Sequence, residues 1–524
     1  MNPLTFTAIC LLPMLTAHGA VSLDAKNESS VMLESDPAMK KVGKEDAETP
    51  AGKALQIFVD GDHKKAVELA MPLADKGDPL ALYIMGFASE TGQGTEASSA
   101  KALEYYRKGA AANHPDSIYR LAAILISSGQ KDRVEEGRQM LEKQAAIYPT
   151  VSGRILGEAF LTGALTGEPA PETAVSWWKK ADEAGDVPAT FMLARFYDGQ
   201  FGHASFRDAE LAYDYFLKAA EKGDPASMVA LGSRLLNGDV VKRDEQKGTG
   251  WLNKAIESKE FTAHLVLGDY FENEKKNLKS ALSSYTLGAE AGQTDCMVRA
   301  AAFHLEGKGT DKDKGRGIEL LEKAAKANNP QAHLMLAAQI LGEEKADFTK
   351  GYTHLLSASN GGLALAQNEL GLLYLSGKLG VADVPAAASW FTLAAKGGLA
   401  SAQNNLAALY ERGAGVEQSF DKAGQLYSLA AQQESGSATL ALARFHAAGL
   451  GTKVNRELAW ALANLAVERG EKENAEALIK EIEKDFNKEQ LAAAKKELEK
   501  IKAEQPAKKA ADKPADKLNK KPTE

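Results

Sequence analysis

Ala366-Gln-Asn-Glu-Leu-Gly-Leu-Leu-Tyr-Leu-Ser-Gly377 returns 36 residues later as Ala402-Gln-Asn-Asn-Leu-Ala-Ala-Leu-Tyr-Glu-Arg-Gly413. Working outward from this pair, a seam recurs at positions 77, 113, 148, 185, 223, 258, 292, 328, 361, 397, 433 and 470, at intervals of 33 to 38 residues. A period of that length marks a helical repeat array. One helix pair cannot bury its apolar face alone and must stack on its neighbours. Length alone would argue for three or four domains. A solenoid removes that need, because it adds units without a new core.

Three slots fix the register. In each first helix one slot is always small: Ala81, Ser117, Ser152, Ala189, Ser227, Ala263, Cys296, Ala332, Ala366, Ala402 and Ala438. Five residues on, the slot is Gly or Ala, with glycine at Gly86, Gly157, Gly232, Gly268 and Gly371. A third slot, from Ala102 to Ala459, is Gly or Ala in every second helix. Glycine costs about 0.8–1 kcal/mol against alanine inside a helix, so its repeated use predicts close backbone approach rather than helix propensity. Bulky pairs follow the third slot at Tyr105-Tyr106, Trp177-Trp178, Tyr215-Phe216, Trp251-Leu252, Trp390-Phe391 and Leu426-Tyr427. Their spacing predicts core filler.

The connections read as turns. Gly92-Gln93-Gly94, Gly307-Lys308-Gly309, Gly413-Ala414-Gly415 and Gly449-Leu450-Gly451 recur in register, which argues against a phosphate-binding loop. Gly77-Asp78-Pro79 and Gly223-Asp224-Pro225 predict a helix end, an N-cap and a first helical residue.

The pattern A-x-x-x-L-G-x-x-Y-x-x-G, a loop, then A-x-x-W-Y-x-K-A-A-x-x-G resembles the Sel-1-like repeat, a relative of the tetratricopeptide repeat. The resemblance covers residues 77–470 and implies an all-α fold, an alpha-alpha solenoid wound as a right-handed superhelix of about eleven to twelve helix pairs with a C-terminal helical cap. It also implies a concave face, lined by first helices, that binds proteins or peptides, and a bacterial exported type at work in the cell envelope. One exported group of relatives, with Cys pairs in each repeat, is linked to β-lactam chemistry. This chain lacks those pairs.

The remaining boundaries follow from composition. Residues 1–19 read as a signal peptide, with an apolar stretch from Leu4 to Leu15 before small residues at 17–20, which predicts export to the periplasm or beyond. Residues 20–50 form a linker, with seven acidic and four basic side chains between 22 and 50. Residues 51–76 give an opening helix pair. Residues 471–504 give capping helices, where Asn487 and Gln490 resemble a capping box. Residues 505–524 carry six Lys against three acids and read as a disordered tail, able at most to make weak electrostatic contact with the envelope.

The chemistry classes are mostly excluded. Net charge is −8 with no basic stripe, so nucleic acid is not expected as a partner. No stretch beyond the leader has the roughly 18–20 apolar residues of a membrane span. Ser98-Ser-Ala-Lys101 and Ser176-Trp-Trp-Lys179 match one element of serine β-lactamases, but the Ser-Asp-Asn and Lys-Thr-Gly elements are missing. The nine histidines are dispersed, and His304 and His446 occupy the slot held by Tyr374 and Tyr410. Cys296 falls in the small slot. No catalytic residue, metal ligand or cofactor is therefore assigned.

Function is expected on the first helices, two and six residues past the small slot. That phase selects Tyr83, Phe87, Tyr119, Arg195, Asn368, Asn404 and Arg444 as groove residues. Asn368 and Asn404, one repeat apart, have the donors and acceptors to hold an extended peptide backbone.

Overall fold

A computed structural model describes residues 48–238 and 240–511, with side chains described up to 503. Residues 1–19, expected to be a signal peptide, most of the expected linker and residues 512–524 lie outside the described residues. Among the described residues the regular structure is helical, with no strand. The residues fall into two compact units, 48–275 and 276–511.

The first unit opens with α1 (Pro50–Val59) and α2 (His63–Ala74). It continues with α3 (Pro79–Thr91), α4 (Ser99–Ala111), α5 (Pro115–Ser127), α6 (Lys131–Ala145), α7 (Pro149–Leu161) and α8 (Pro171–Glu183). It ends with α9 (Val187–Tyr197), α10 (Ala209–Glu221), α11 (Pro225–Asn237), α12 (Glu245–Glu257) and α13 (Ala263–Asn273). The second unit comprises α14 (Leu278–Glu290), α15 (Thr294–Glu306), α16 (Lys314–Lys326), α17 (Pro330–Leu341), α18 (Phe348–Asn360), α19 (Ala364–Ser376) and α20 (Val384–Lys396). After these come α21 (Ala400–Arg412), α22 (Phe420–Gln432), α23 (Gly436–Ala448), α24 (Arg456–Glu468), α25 (Lys472–Glu483) and α26 (Lys488–Ala511). Within each unit, consecutive helices pack against one another.

The small slots sit where the register puts them. All eleven first-slot residues, from Ala81 to Ala438, are fully shielded from solvent. The glycine slot faces the second bulky residue of the partner helix. A β-carbon at Gly86 would lie 2.6 Å from the Tyr106 ring, one at Gly232 2.5 Å from Leu252, and one at Gly371 2.5 Å from the Phe391 ring, while one at Gly157 would strike the Trp178 indole. Tyr106, Trp178, Leu252 and Phe391 are in turn fully buried. Burying each stabilises by about 1.5–3 kcal/mol, which outweighs the glycine's propensity cost. The first residue of each bulky pair, such as Trp177 or Trp390, is only half-buried.

The turns use glycine for two reasons. Gly92, Gly94, Gly307, Gly309, Gly413, Gly415, Gly449 and Gly451 all have positive φ. The second glycine of each pair also presses on the start of an earlier helix: a β-carbon at Gly309 would lie 2.5 Å from the Leu278 carbonyl oxygen, and one at Gly415 2.7 Å from the Val384 carbonyl carbon.

Seams end in a left-handed residue, at Gly77, Asn113, Gly185, Gly223, Lys259, Gly292, Asn328, Gly362, Gly398, Glu434 and Gly470. Four of these stand one residue beyond the mark expected at 258, 361, 397 and 433, because the positive φ belongs to the second residue of each seam. At Tyr148 φ is −128°, and that seam makes its turn without a left-handed residue. Asp78 and Asp224 cap as expected, accepting from the backbone N–H of Ala81 at 2.9 Å and of Ser227 at 2.7 Å. The final helix begins with a reciprocal box. Gln490 N–H donates to Asn487 Oδ1 at 2.8 Å and Asn487 N–H to Gln490 Oε1 at 3.1 Å. That helix continues to Ala511, past residue 505, where composition alone starts the tail.

Candidate functional site: the first-helix rows

In the first unit the row is aromatic and largely tied down. Tyr83 is 1% exposed and stacks on His114 at 5.3 Å, so it belongs to the core and offers a ligand no surface. Phe87 is half-buried, edge-on to Phe58 at 5.9 Å, with the Arg120 guanidinium 5.1 Å above its ring. Tyr119 is half-buried, and burial raises its hydroxyl pKa. Arg195 stacks on Phe201 at 4.8 Å and donates from Nε to Gln200 at 2.9 Å.

In the second unit the three selected residues are polar. Asn368 is 3% exposed, and its Oδ1 accepts from Asn405 Nδ2 at 3.0 Å. The amide expected to meet a peptide instead ties α19 to α21, and its partner is Asn405 rather than Asn404. The neighbouring Glu369 receives Asn368 Nδ2 at 3.4 Å, and burial holds its carboxyl above the usual carboxylate range. Asn404 is half-buried, and Arg444 keeps 55% of its side chain exposed. Of the seven groove residues, Tyr83 and Asn368 are core. Phe87, Tyr119, Arg195, Asn404 and Arg444 retain surface.

The slots did not reveal a staple that links three successive helices. Tyr106 on α4 donates to Glu90 on α3 at 2.6 Å, and Arg120 on α5 stands 3.8 Å from the same carboxylate. Tyr427 on α22 repeats this with Glu411 on α21 at 2.7 Å and Arg444 on α23 at 3.8 Å. A third version pairs Arg234 on α11 with Asp198 at 2.5 Å and sets the guanidinium 4.4 Å over Phe216. The acid stands nine residues past the small slot each time, a regularity visible in the sequence. The arginine's offset varies, which hid it.

The residues singled out for chemistry take structural places. Ser98 caps α4, accepting from the Lys101 N–H at 3.4 Å, and Ser176 points out from α8 as an exposed residue. His304 and His446 are half-buried, with Nδ1 shielded and lacking a hydrogen-bond partner. Burial lowers the His446 pKa. Cys296 is buried. Among the described residues, no three or more His, Cys, Asp or Glu side chains cluster as a metal centre, and no helix is long and apolar enough to cross a membrane.

Comparison with known proteins places this architecture. The Sel1 repeat model matches residues 79–114, 154–186, 187–224, 225–259, 294–329, 364–399, 400–435 and 436–471, more than half the chain. The three repeats it passes over, around α5–α6, α13–α14 and α17–α18, join their helices through six residues or fewer, whereas every matched repeat uses seven or more. The chain is 26% identical over 255 residues to the chitin synthase regulator SKT5 of Saccharomyces cerevisiae, covering 45% of this chain and 36% of that one. It is 25% identical over 286 residues to chitin synthase regulatory factor 3 of Schizosaccharomyces pombe, covering 45% and 29%. The chain thus spans about a third of the length of these relatives. Among solved structures, c5321, a protective antigen of uropathogenic Escherichia coli displaying an SLR fold, aligns over 87% of this chain and 99% of its own at 22% identity and TM-score 0.49. A Sel1 repeat protein from Oxalobacter formigenes aligns over 59% and 89% at 26% identity and TM-score 0.42. With eight segments matched over more than half its length, the chain belongs to the Sel1 repeat family.

Proposed function

We propose that this protein is a non-enzymatic scaffold of the bacterial cell envelope, exported and binding protein or peptide partners along its first-helix rows. One observation carries the reading: the packing register absorbs nearly every residue that chemistry would need, while the positions six past the small slot, all but Ala123, keep some exposure and range from Phe87 and Arg195 to Leu372 and Arg444. Such a row suits recognition of an extended partner, each repeat contributing one contact. The regulator names of the fungal relatives point the same way, toward a protein that acts on other proteins. Export rests on the leader-like residues 1–19, and the alternative of a cell-wall-acting or β-lactam-acting enzyme has no assembled site to support it.

Photo-crosslinkers placed at Asn404 and at Arg195 should capture discrete partners in the native cell, whereas one at exposed Ser176 on α8 should not. Equal capture at all three positions would remove the row from the reading. N-terminal sequencing of periplasmic protein should begin near residue 20. A full-length cytoplasmic product would end the envelope assignment.

A further inference from the structure

His333 on α17 and His354 on α18 are 21 residues apart in sequence, yet their Nδ1 atoms stand 3.0 Å apart, with ring centroids separated by 5.3 Å. Both rings are half-buried. At this distance both facing nitrogens cannot carry protons, so one must present a lone pair to the other. Burial holds both imidazoles below the ordinary histidine range, and a hydrogen bond with the Ala325 carbonyl opposes this at His333. Lys350, one turn before His354, acts in the same direction as burial, and Glu322 on α16 against it.

Imidazole nitrogens that converge from two helices are ligands of the kind a d-block divalent ion takes. With metal–nitrogen bonds of about 2.0–2.1 Å, two ligands at a right angle lie about 2.9 Å apart and two at a tetrahedral angle about 3.3–3.4 Å. The observed 3.0 Å lies nearer the right angle, the edge favoured by the tetragonal geometry of copper(II) and nickel(II). We propose that His333 and His354 form a two-histidine site for a divalent transition metal, the ion replacing the proton the two rings share. Each ring turns by about 35–45° to swing its lone pair off the nitrogen–nitrogen line and toward the ion, the base angle of a triangle with a right-angled or tetrahedral apex at the metal. No third protein ligand completes the set among the described residues, so water fills the remaining positions. Magnesium and calcium, which demand oxygen donors, should not compete.

The test is calorimetric titration of the untagged full-length chain with nickel chloride at pH 7.5, beside magnesium chloride. One nickel ion should bind saturably, and magnesium should give no heat. His333→Gln and His354→Gln should each weaken nickel binding at least about tenfold, since losing a ligand should cost no less than losing an outer-shell partner, which costs 10- to 100-fold. His446→Gln, which removes another half-buried ring, should leave binding unchanged. Equal binding by His354→Gln and wild type would overturn the site. So would the absence of a saturable nickel isotherm for wild type. Should either variant unfold, copper(II) electron paramagnetic resonance of the wild type decides the matter: two nitrogen couplings support the pair, and none refutes it.

Discussion

The staples Tyr106–Glu90–Arg120 in the first unit and Tyr427–Glu411–Arg444 in the second have nearly the same distances, 2.6 and 3.8 Å against 2.7 and 3.8 Å. They differ in where the arginine starts. Arg120 lies three residues past its small slot and is 8% exposed at the side chain, covered by Phe87. Arg444 lies six past its slot and is 55% exposed. Positions three residues apart share a helix face one turn apart, so the two guanidiniums reach the same acid slot from adjacent turns. The same ion pair is thus buried in one unit and exposed at its arginine in the other.

The largest effect should come from the glycine-slot packing found within each unit. Gly371→Leu forces a side chain into the Phe391 ring and should cost about 3 kcal/mol or more, as overpacking does when the opposing ring cannot move. Gly86→Leu, against Tyr106, should cost as much. Equal urea midpoints for either variant and wild type would break the register.

Arg120→Ala should come next, at about 2 kcal/mol, because it leaves Glu90 half-buried without its cation. Arg444→Ala should stay within about 0.5 kcal/mol, while reducing partner capture at Asn404. Equal losses in urea denaturation would erase the distinction between the staples.

Acid should separate the units further. Burial lowers the pKa of His264 in the first unit and of His333, His354 and His446 in the second. A histidine with a depressed folded pKa binds fewer protons than the unfolded chain does. Its stabilisation is therefore complete above about pH 6.5 and is lost as pH falls below that value. Glu369, whose folded pKa is raised, runs the other way and offsets part of the loss. Hydrogen exchange at pH 7.5 and 5.5, corrected for intrinsic rates, should show more loss of protection in residues 276–503 than in 48–275.

The smallest effect concerns the seams. Lys259→Gly and Glu434→Gly relieve a left-handed backbone at non-glycine residues and should each stabilise by a few tenths to about 1 kcal/mol. A loss in thermal melting would mean that the side chain contributes more than the strain costs.

The fold was legible because its code is local and repeated. Ala81 and its ten counterparts, the glycines facing Tyr106 and Phe391, and the Asp78 and Asp224 caps each follow from residue type at a fixed offset. The phase of the row was legible, but not which of its members stay accessible. Asn368 was read as a peptide contact. Its burial depends on Asn405, a residue one position further on in register and one repeat away in sequence, whose side chain could point either way until the helices were docked.

What the sequence by itself determined is the period, the slot packing and the turns, since a 3.6-residue helix and a glycine's missing side chain leave little choice once they recur eleven times. The tertiary structure decided which arginine is buried, which asparagine pairs with which, and that His333 meets His354. Those outcomes depend on the angle and spacing at which one helix settles on the next. No single repeat carries that information, because it arises only when two packed surfaces meet.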